Sequence, residues 1–196
     1  MKNVLSVKFK NTAEFIKNNY IVLLLSCFYI LGIVAGAFIF NNACKNQTEL
    51  LLQFAGGLGV DGDCTTTFIN GITVYFLYFI VIALLGTSLS GKYLLYFVPF
   101  IKGLSYGYIS GFIFAVFDIN GFAVNLLGIL PQNVLTGMLI IYACKLSVSF
   151  SKGFIEFNKK YRLKYFILCL SVLFILCIIV SLMDVFLTGI VIKNYL

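Results

Sequence analysis

Gln132 and Asn133 stand directly behind Pro131 inside an apolar run that extends from Phe122 to Phe150. Amides in such a run cost free energy unless they are hydrogen-bonded. They have two uses there: they can satisfy backbone groups freed by Pro131, or line a polar pocket beside a helix N-terminus, where anionic groups are favoured. A second pattern is Gly103, Gly107 and Gly111, spaced every four residues. On a helix they form one small-residue stripe where another backbone can approach closely. That stripe suits packing within the chain or against a partner's transmembrane helix. Among the six cysteines, Cys27, Cys144, Cys169 and Cys177 fall in apolar runs as small hydrophobes, with no CxxC or other metal spacing. Cys44 and Cys64 share a polar stretch, where they are either a disulfide, given an oxidising exterior, or two free thiols. There is no histidine. Ser-His-Asp and Cys-His nucleophiles, HExxH zinc sites and histidine-ligated haem are therefore excluded. No catalytic residues, metal or cofactor are expected, and the chain is not expected to be an enzyme.

The elements that must carry these residues are transmembrane helices. Of the 196 residues, 61% are hydrophobic and 11% charged, and the mean hydropathy is +1.04. A water-soluble domain has far more polar surface than this. The fold class expected is an all-α integral membrane protein with about five transmembrane helices in a single domain. The spans are placed at about 20–40, 68–88, 100–117, 131–150 and 165–183. A cytoplasmic amphipathic tail at 1–19 has Leu5, Phe9, Ala13, Ile16 and Tyr20 on one side. Cleavage after the Ala35-Gly36-Ala37 triplet is not expected, because the apolar run continues through Phe40. A polar, glycine-rich outer loop occupies 41–67, and Gly121 lies in a connecting turn. Pro99 is placed at the start of the third span, which puts Lys102 one turn inside the membrane, from where its stem can snorkel to the headgroups. Thirty apolar residues before Phe150 are too many for one upright helix, since they would extend about 45 Å. A short interfacial or re-entrant segment, Phe122 to Leu130, is therefore expected before Pro131, with the fourth span beginning at Pro131.

The fourteen lysines and arginines lie beside the apolar runs rather than along one polar face. They read as topology signals and not as a nucleic-acid surface. In this arrangement all except Lys45 and Lys193 fall on one side, including the basic inner loop 151–164 with Lys152, Lys159, Lys160, Arg162 and Lys164. The positive side is retained in the cytoplasm, so the N-terminus is inside and the C-terminus outside.

Several segments together resemble the stage II sporulation protein M family of endospore-forming bacteria. They are the basic N-tail, the Leu31-Gly32-Ile33-Val34-Ala35-Gly36 stretch, Phe100-Ile101-Lys102-Gly103 through Gly107 and Gly111-Phe112, and above all Leu126-Leu127-Gly128-Ile129-Leu130-Pro131-Gln132-Asn133. The resemblance implies a multi-pass protein of the mother-cell membrane at the sporulation septum. It further implies a scaffold or assembly subunit of a peptidoglycan-remodelling complex acting in forespore engulfment. Its partners would be membrane-anchored cell-wall hydrolases, an amidase/endopeptidase and a lytic transglycosylase. Relatives outside sporulation often carry Pro-His-Gly before an acidic residue where this chain has Gln132-Asn133, which favours the sporulation branch. The residues by themselves also suit a small transporter or channel subunit, because Pro99 and Pro131 would open helices that run in opposite directions.

Overall fold

The computed structural model describes residues 2–43, 64–88, 90–152 and 159–195, with side chains at 19–42, 68–88, 90–115, 121–123, 125–151 and 163–183. Among the described residues the chain is helical throughout, with no strand. The helices are α1 (Lys2–Ala43), α2 (Cys64–Thr87), a short α3 (Gly91–Leu94), α4 (Phe97–Val124), a π-helical turn (Asn125–Ile129), α5 (Leu130–Lys152) and α6 (Lys159–Tyr195). Among the described residues five stretches are long and apolar enough to cross a bilayer: Asn19–Asn42, Phe68–Thr87, Gly91–Ala115, Gly121–Ser151 and Leu163–Met183. The chain is an all-helical membrane protein.

The surface supports this from outside inwards. Val34, Phe38, Leu77 and Leu84 are each more than 60% exposed, and exposed apolar residues recur on every span. In water such a surface would aggregate; in lipid it is the solvent-facing side. The interior holds Leu25, Ile82, Leu95, Ile140, Cys144 and Val148, and also a set of polar groups described below.

α1 is kinked at Asn19, where φ is −116° and ψ is 16°, at the junction between the lysine-bearing tail and the apolar run. Its main neighbour is α4. A Cβ added at Gly32 would strike the carbonyl oxygen of Phe100, and one at Gly36 that of Leu104. In return, a Cβ at Gly103 would strike the carbonyl of Tyr29, and one at Gly107 that of Ile33. Residue numbers rise together on the two helices, so α1 and α4 run parallel. Only glycine lets two backbones meet this closely, and the gain is dispersion contact that lipid cannot supply as well. Gly111 ends the seam under Phe40, whose ring carbon lies 2.8 Å from the position a Cβ would take.

α4 is not one straight rod. The position of a Cβ on Gly121 lies 2.6 Å from the Ile113 carbonyl oxygen, and the rings of Phe114 and Phe122 are 6.4 Å apart. Eight residues of straight helix would separate these positions by about 12 Å. The chain therefore reverses between Ala115 and Gly121, and the stretch from Gly121 returns antiparallel to the stretch before it. Gly121 thus lies at the end of the connecting turn expected from sequence, and it is a close-packed position.

The short interfacial or re-entrant segment expected over Phe122 to Leu130 is not separate from the fourth span: it runs through a π-turn directly into α5, within one apolar stretch, Gly121–Ser151. Phe122 to Leu130 is helical and joins α5 without a loop, and Pro131 is the second residue of α5. A first-turn proline needs no N–H partner, and the wider π register lets the helix continue past it. Pro99 is likewise in the first turn of α4, but the apolar stretch begins earlier, at Gly91. There α3 is stacked on the backbone of Leu85.

α6 closes the bundle. Phe174 packs between Phe76 and Phe79 of α2, with ring centres 5.8 and 5.5 Å away. Phe166 stacks on Phe150 of α5 at 4.5 Å. Gly86 of α2 abuts Ser147 of α5, and the Ser151 hydroxyl donates to the Ser88 carbonyl at 3.2 Å.

Candidate functional site

The polar groups of the bundle gather where α1, α2, α4, α5 and α6 meet. Lys102 of α4 is only 9% exposed, and its Nζ lies 5.1 Å from the ring centre of Tyr75 on α2. Cys177 of α6 is within electrostatic reach of the same ammonium group. Tyr75 is seven residues into its span from Phe68, a depth of about 10 Å. Gly103, next to Lys102, abuts Tyr29, which is ten residues, or about 15 Å, into the α1 span. Lys102 is thus at mid-span.

This overturns the expectation that Lys102 snorkels from one turn inside the membrane. The physical reason is the start of the span: measured from Gly91 rather than Phe100, Lys102 lies eleven residues in. Its stem is enclosed by the bundle, and its charge rests on the negative face of an aromatic ring, an interaction strengthened by desolvation. Ionisable groups at this depth are costly and tend to mark functional positions.

Around Lys102 the tyrosines continue the polar centre. Tyr29, Tyr75 and Tyr106 are all buried, each no more than 9% exposed. The Tyr29 hydroxyl donates to the Asn133 carbonyl at 2.9 Å, tying α1 to the first turn of α5. Its ring also covers Gly137, where a Cβ would come within 2.7 Å of it. The Tyr106 and Ser110 hydroxyls reach the Asn125 Oδ1 at 3.5 and 3.4 Å. Asn125, the first residue of the π-turn, is thereby held against α4.

The amide pair behind Pro131 divides its work. Asn133 Nδ2 donates to the Ile129 carbonyl at 3.0 Å, which satisfies the amide on its own helix but not on the carbonyl four or five residues before Pro131 that the missing N–H would have served. Thr136 donates to the Gln132 carbonyl at 3.0 Å, capping the same turn from inside. Gln132 itself is buried, and among the described residues its Oε1 has no hydrogen-bond partner, as is also true of Ser147 Oγ and Ser181 Oγ.

Of the residues singled out in the sequence, Pro131, Gln132 and Asn133 are brought to this centre. Gly103, Gly107 and Gly111 face α1 of the same chain. Cys44 lies outside the described residues, and the side chain of Cys64 does too, so their pairing is outside the description. Among the described residues no cluster of three or more His, Cys, Asp or Glu side chains could hold a metal ion. Sequence reasoning missed Tyr29, Tyr75, Tyr106 and Asn125 as partners of the centre. One signal was present: Gly32-x-x-x-Gly36 matches Gly103-x-x-x-Gly107, and pairing the two stripes brings Tyr29 beside Lys102.

An apolar exterior, five crossing-length helices and an enclosed polar centre define a polytopic helical membrane protein. The chain belongs to the stage II sporulation protein M family, whose model matches residues 15–189. That range contains all five crossings and every residue of the polar centre. Comparison with curated proteins and with solved structures finds no match.

Proposed function

We propose that this chain is the membrane scaffold of a peptidoglycan-remodelling complex that acts in forespore engulfment. It would sit in the mother-cell membrane at the septum and recruit membrane-anchored hydrolases, an amidase/endopeptidase and a lytic transglycosylase. The observation that carries this reading is the family match across nearly the whole chain. A glycine-seamed bundle of this kind supports it, because it makes a rigid platform that presents lipid-facing helix surfaces to partner anchors. On this reading the hydrolytic chemistry belongs to the partners. Removing the chain from the sporulating host is expected to stall the engulfing membrane at the septum. Engulfment at the ordinary rate without it would refute the reading.

The orientation proposed has the N-terminus in the cytoplasm and the C-terminus outside, supported by the one-sided distribution of lysine and arginine. In a background without native cysteines, an impermeant maleimide added to intact cells is expected to label Asn194→Cys and spare Asn3→Cys. The opposite pattern would invert the bundle.

The mid-span position of Lys102 favours a second reading, a small transporter or channel subunit, since intramembrane charges commonly lie on solute paths. Flux of ions or amphiphiles through liposomes bearing the purified chain would support it. Flux no greater than that of empty vesicles would remove it.

A further inference from the structure

The buried side chains of the bundle sort by depth. Tyr29 marks the middle: its carbonyl abuts Gly103, and its hydroxyl donates to the Asn133 carbonyl. Lys102 and Gln132 lie at this level on neighbouring antiparallel stretches. Gly121 packs on Ile113, and Asn125 is reached from Tyr106 and Ser110. Continued in the same register, Lys102 precedes Ile113 by as many residues as Gln132 follows Gly121. From this level to the end that carries α3 the interior is an apolar cluster, in which Leu25, Ile82, Leu95, Ile140, Cys144 and Val148 are each at most 1% exposed. Toward the end that carries Gly121, many of the buried groups among the described residues are polar: Tyr106 on α4, Asn125 and Gln132 on the returning stretch, and Ser181 on α6, one turn beyond Cys177.

We propose that the bundle is a one-sided water site: water enters from the Gly121 end, binds between Gln132 and Lys102, and is stopped there by the apolar cluster. The chemistry of the two side chains selects the occupant. Gln132 Oε1 is buried and accepts only, and among the described residues no donor reaches it. The unpartnered Ser147 and Ser181 hydroxyls can turn onto carbonyls of their own helices. The Gln132 oxygen has no such recourse, because the N–H groups of its own helix are spent in the helix ladder. Lys102 offers the opposite need. An ammonium has three donors, so one can serve a ligand whatever the others do. A group held by both must accept from the ammonium and donate to the amide oxygen. A bare anion cannot donate, and a metal cation can do neither; water does both, and buried water characteristically joins polar groups of this kind. Ser181 continues the polar path toward the Gly121 end. Lys102 then exchanges protons with one side of the membrane only. The inference is independent of the scaffold reading, and the apolar half distinguishes the site from a conducting pore.

Two native cysteines provide the test. Cys177 and Cys144 are both free thiols and both fully buried, but Cys177 lies beside Lys102 and Cys144 lies in the apolar cluster. Brief X-ray irradiation of the full chain in detergent makes hydroxyl radicals from whatever water is present, and these oxidise adjacent side chains, which mass spectrometry reads residue by residue. Cys177 is expected to be oxidised at least about tenfold faster than Cys144, since a dry thiol meets water only in minor conformations populated at about 10% or less. Gln132→Leu keeps similar bulk and removes the acceptor; in folded protein it is expected to slow Cys177 about tenfold while Cys144 is unchanged. Ser181→Leu, which narrows the path one turn before the site, is expected to act in the same direction. Circular dichroism identifies variants that remain folded, and the wild-type comparison needs no variant. Equal oxidation of the two thiols in the wild type would overturn the proposal. So would a Cys177 rate unchanged by folded Gln132→Leu, and one unchanged by folded Ser181→Leu would overturn entry from the Gly121 end.

Discussion

Gly107→Leu is expected to abolish the detergent-stable bundle. The Cβ alone would meet the Ile33 carbonyl, with Ala37 N only 3.0 Å away, and both contacts are backbone. A side chain can yield by changing rotamer; a helix backbone can yield only by moving the whole of α1 away from α4. Overpacking in a core typically costs about 1–3 kcal/mol, and here the neighbouring glycine contacts at Gly103, Gly32 and Gly36 would separate as well. A loss of about 3 kcal/mol or more is therefore expected. Gly71→Ala is the matching control, because its Cβ would meet only Ser181 Oγ, at 3.9 Å. It should alter stability by no more than about 1 kcal/mol, the helix-propensity difference between the two residues. Size-exclusion profiles and thermal unfolding in detergent compare them. A monodisperse Gly107→Leu protein that melts with the wild type would refute the α1–α4 seam.

The second large effect is expected at Lys102. Lys102→Glu would place a carboxylate over the negative face of Tyr75 and bury a charge in surroundings arranged for a cation. A destabilisation of about 3–5 kcal/mol is expected, the range seen when a buried charge loses its compensation. Lys102→Met retains most of the length and the apolar stem, and apolar replacements of buried charges are often tolerated. It is expected to keep the bundle folded, which separates structure from transport. On the scaffold reading, folded Lys102→Met still supports engulfment. Loss of engulfment in a folded Lys102→Met protein, together with loss of a measurable wild-type flux, would transfer the function to the second reading.

The number of crossings was legible because each requires about 20 apolar residues, and the runs from Tyr20, Phe68 and Tyr165 supply them with little ambiguity. That Asn133 turns its amide onto nearby backbone was legible too, because an asparagine in an apolar run has few other ways to satisfy it. What hydropathy does not contain is which helices touch. The parallel contact of α1 with α4 follows from matched glycine stripes far apart in sequence, and nothing in either stripe alone names its partner. Lys102 was misplaced for a related reason. With Pro99 taken as the start of the span, a shallow lysine costs least, but that argument omits the bundle, which supplies Tyr75 and so makes the deeper position tolerable. The reversal before Gly121 shows the same limit: a turn was visible at Asp118-Ile119-Asn120-Gly121, but the backbone contact with Ile113 that makes Gly121 intolerant of a side chain was not.

The most direct test of the scaffold reading is quantitative capture from sporulating cells. The full-length chain, affinity-tagged and solubilised in mild detergent during engulfment, should retain a cell-wall hydrolase in constant ratio to itself. Folded Lys102→Met should retain the same ratio, and Gly107→Leu should lose it. Recovery of the folded wild-type chain at full abundance with no wall hydrolase attached, at the stage when the septal wall is being removed, would contradict the account.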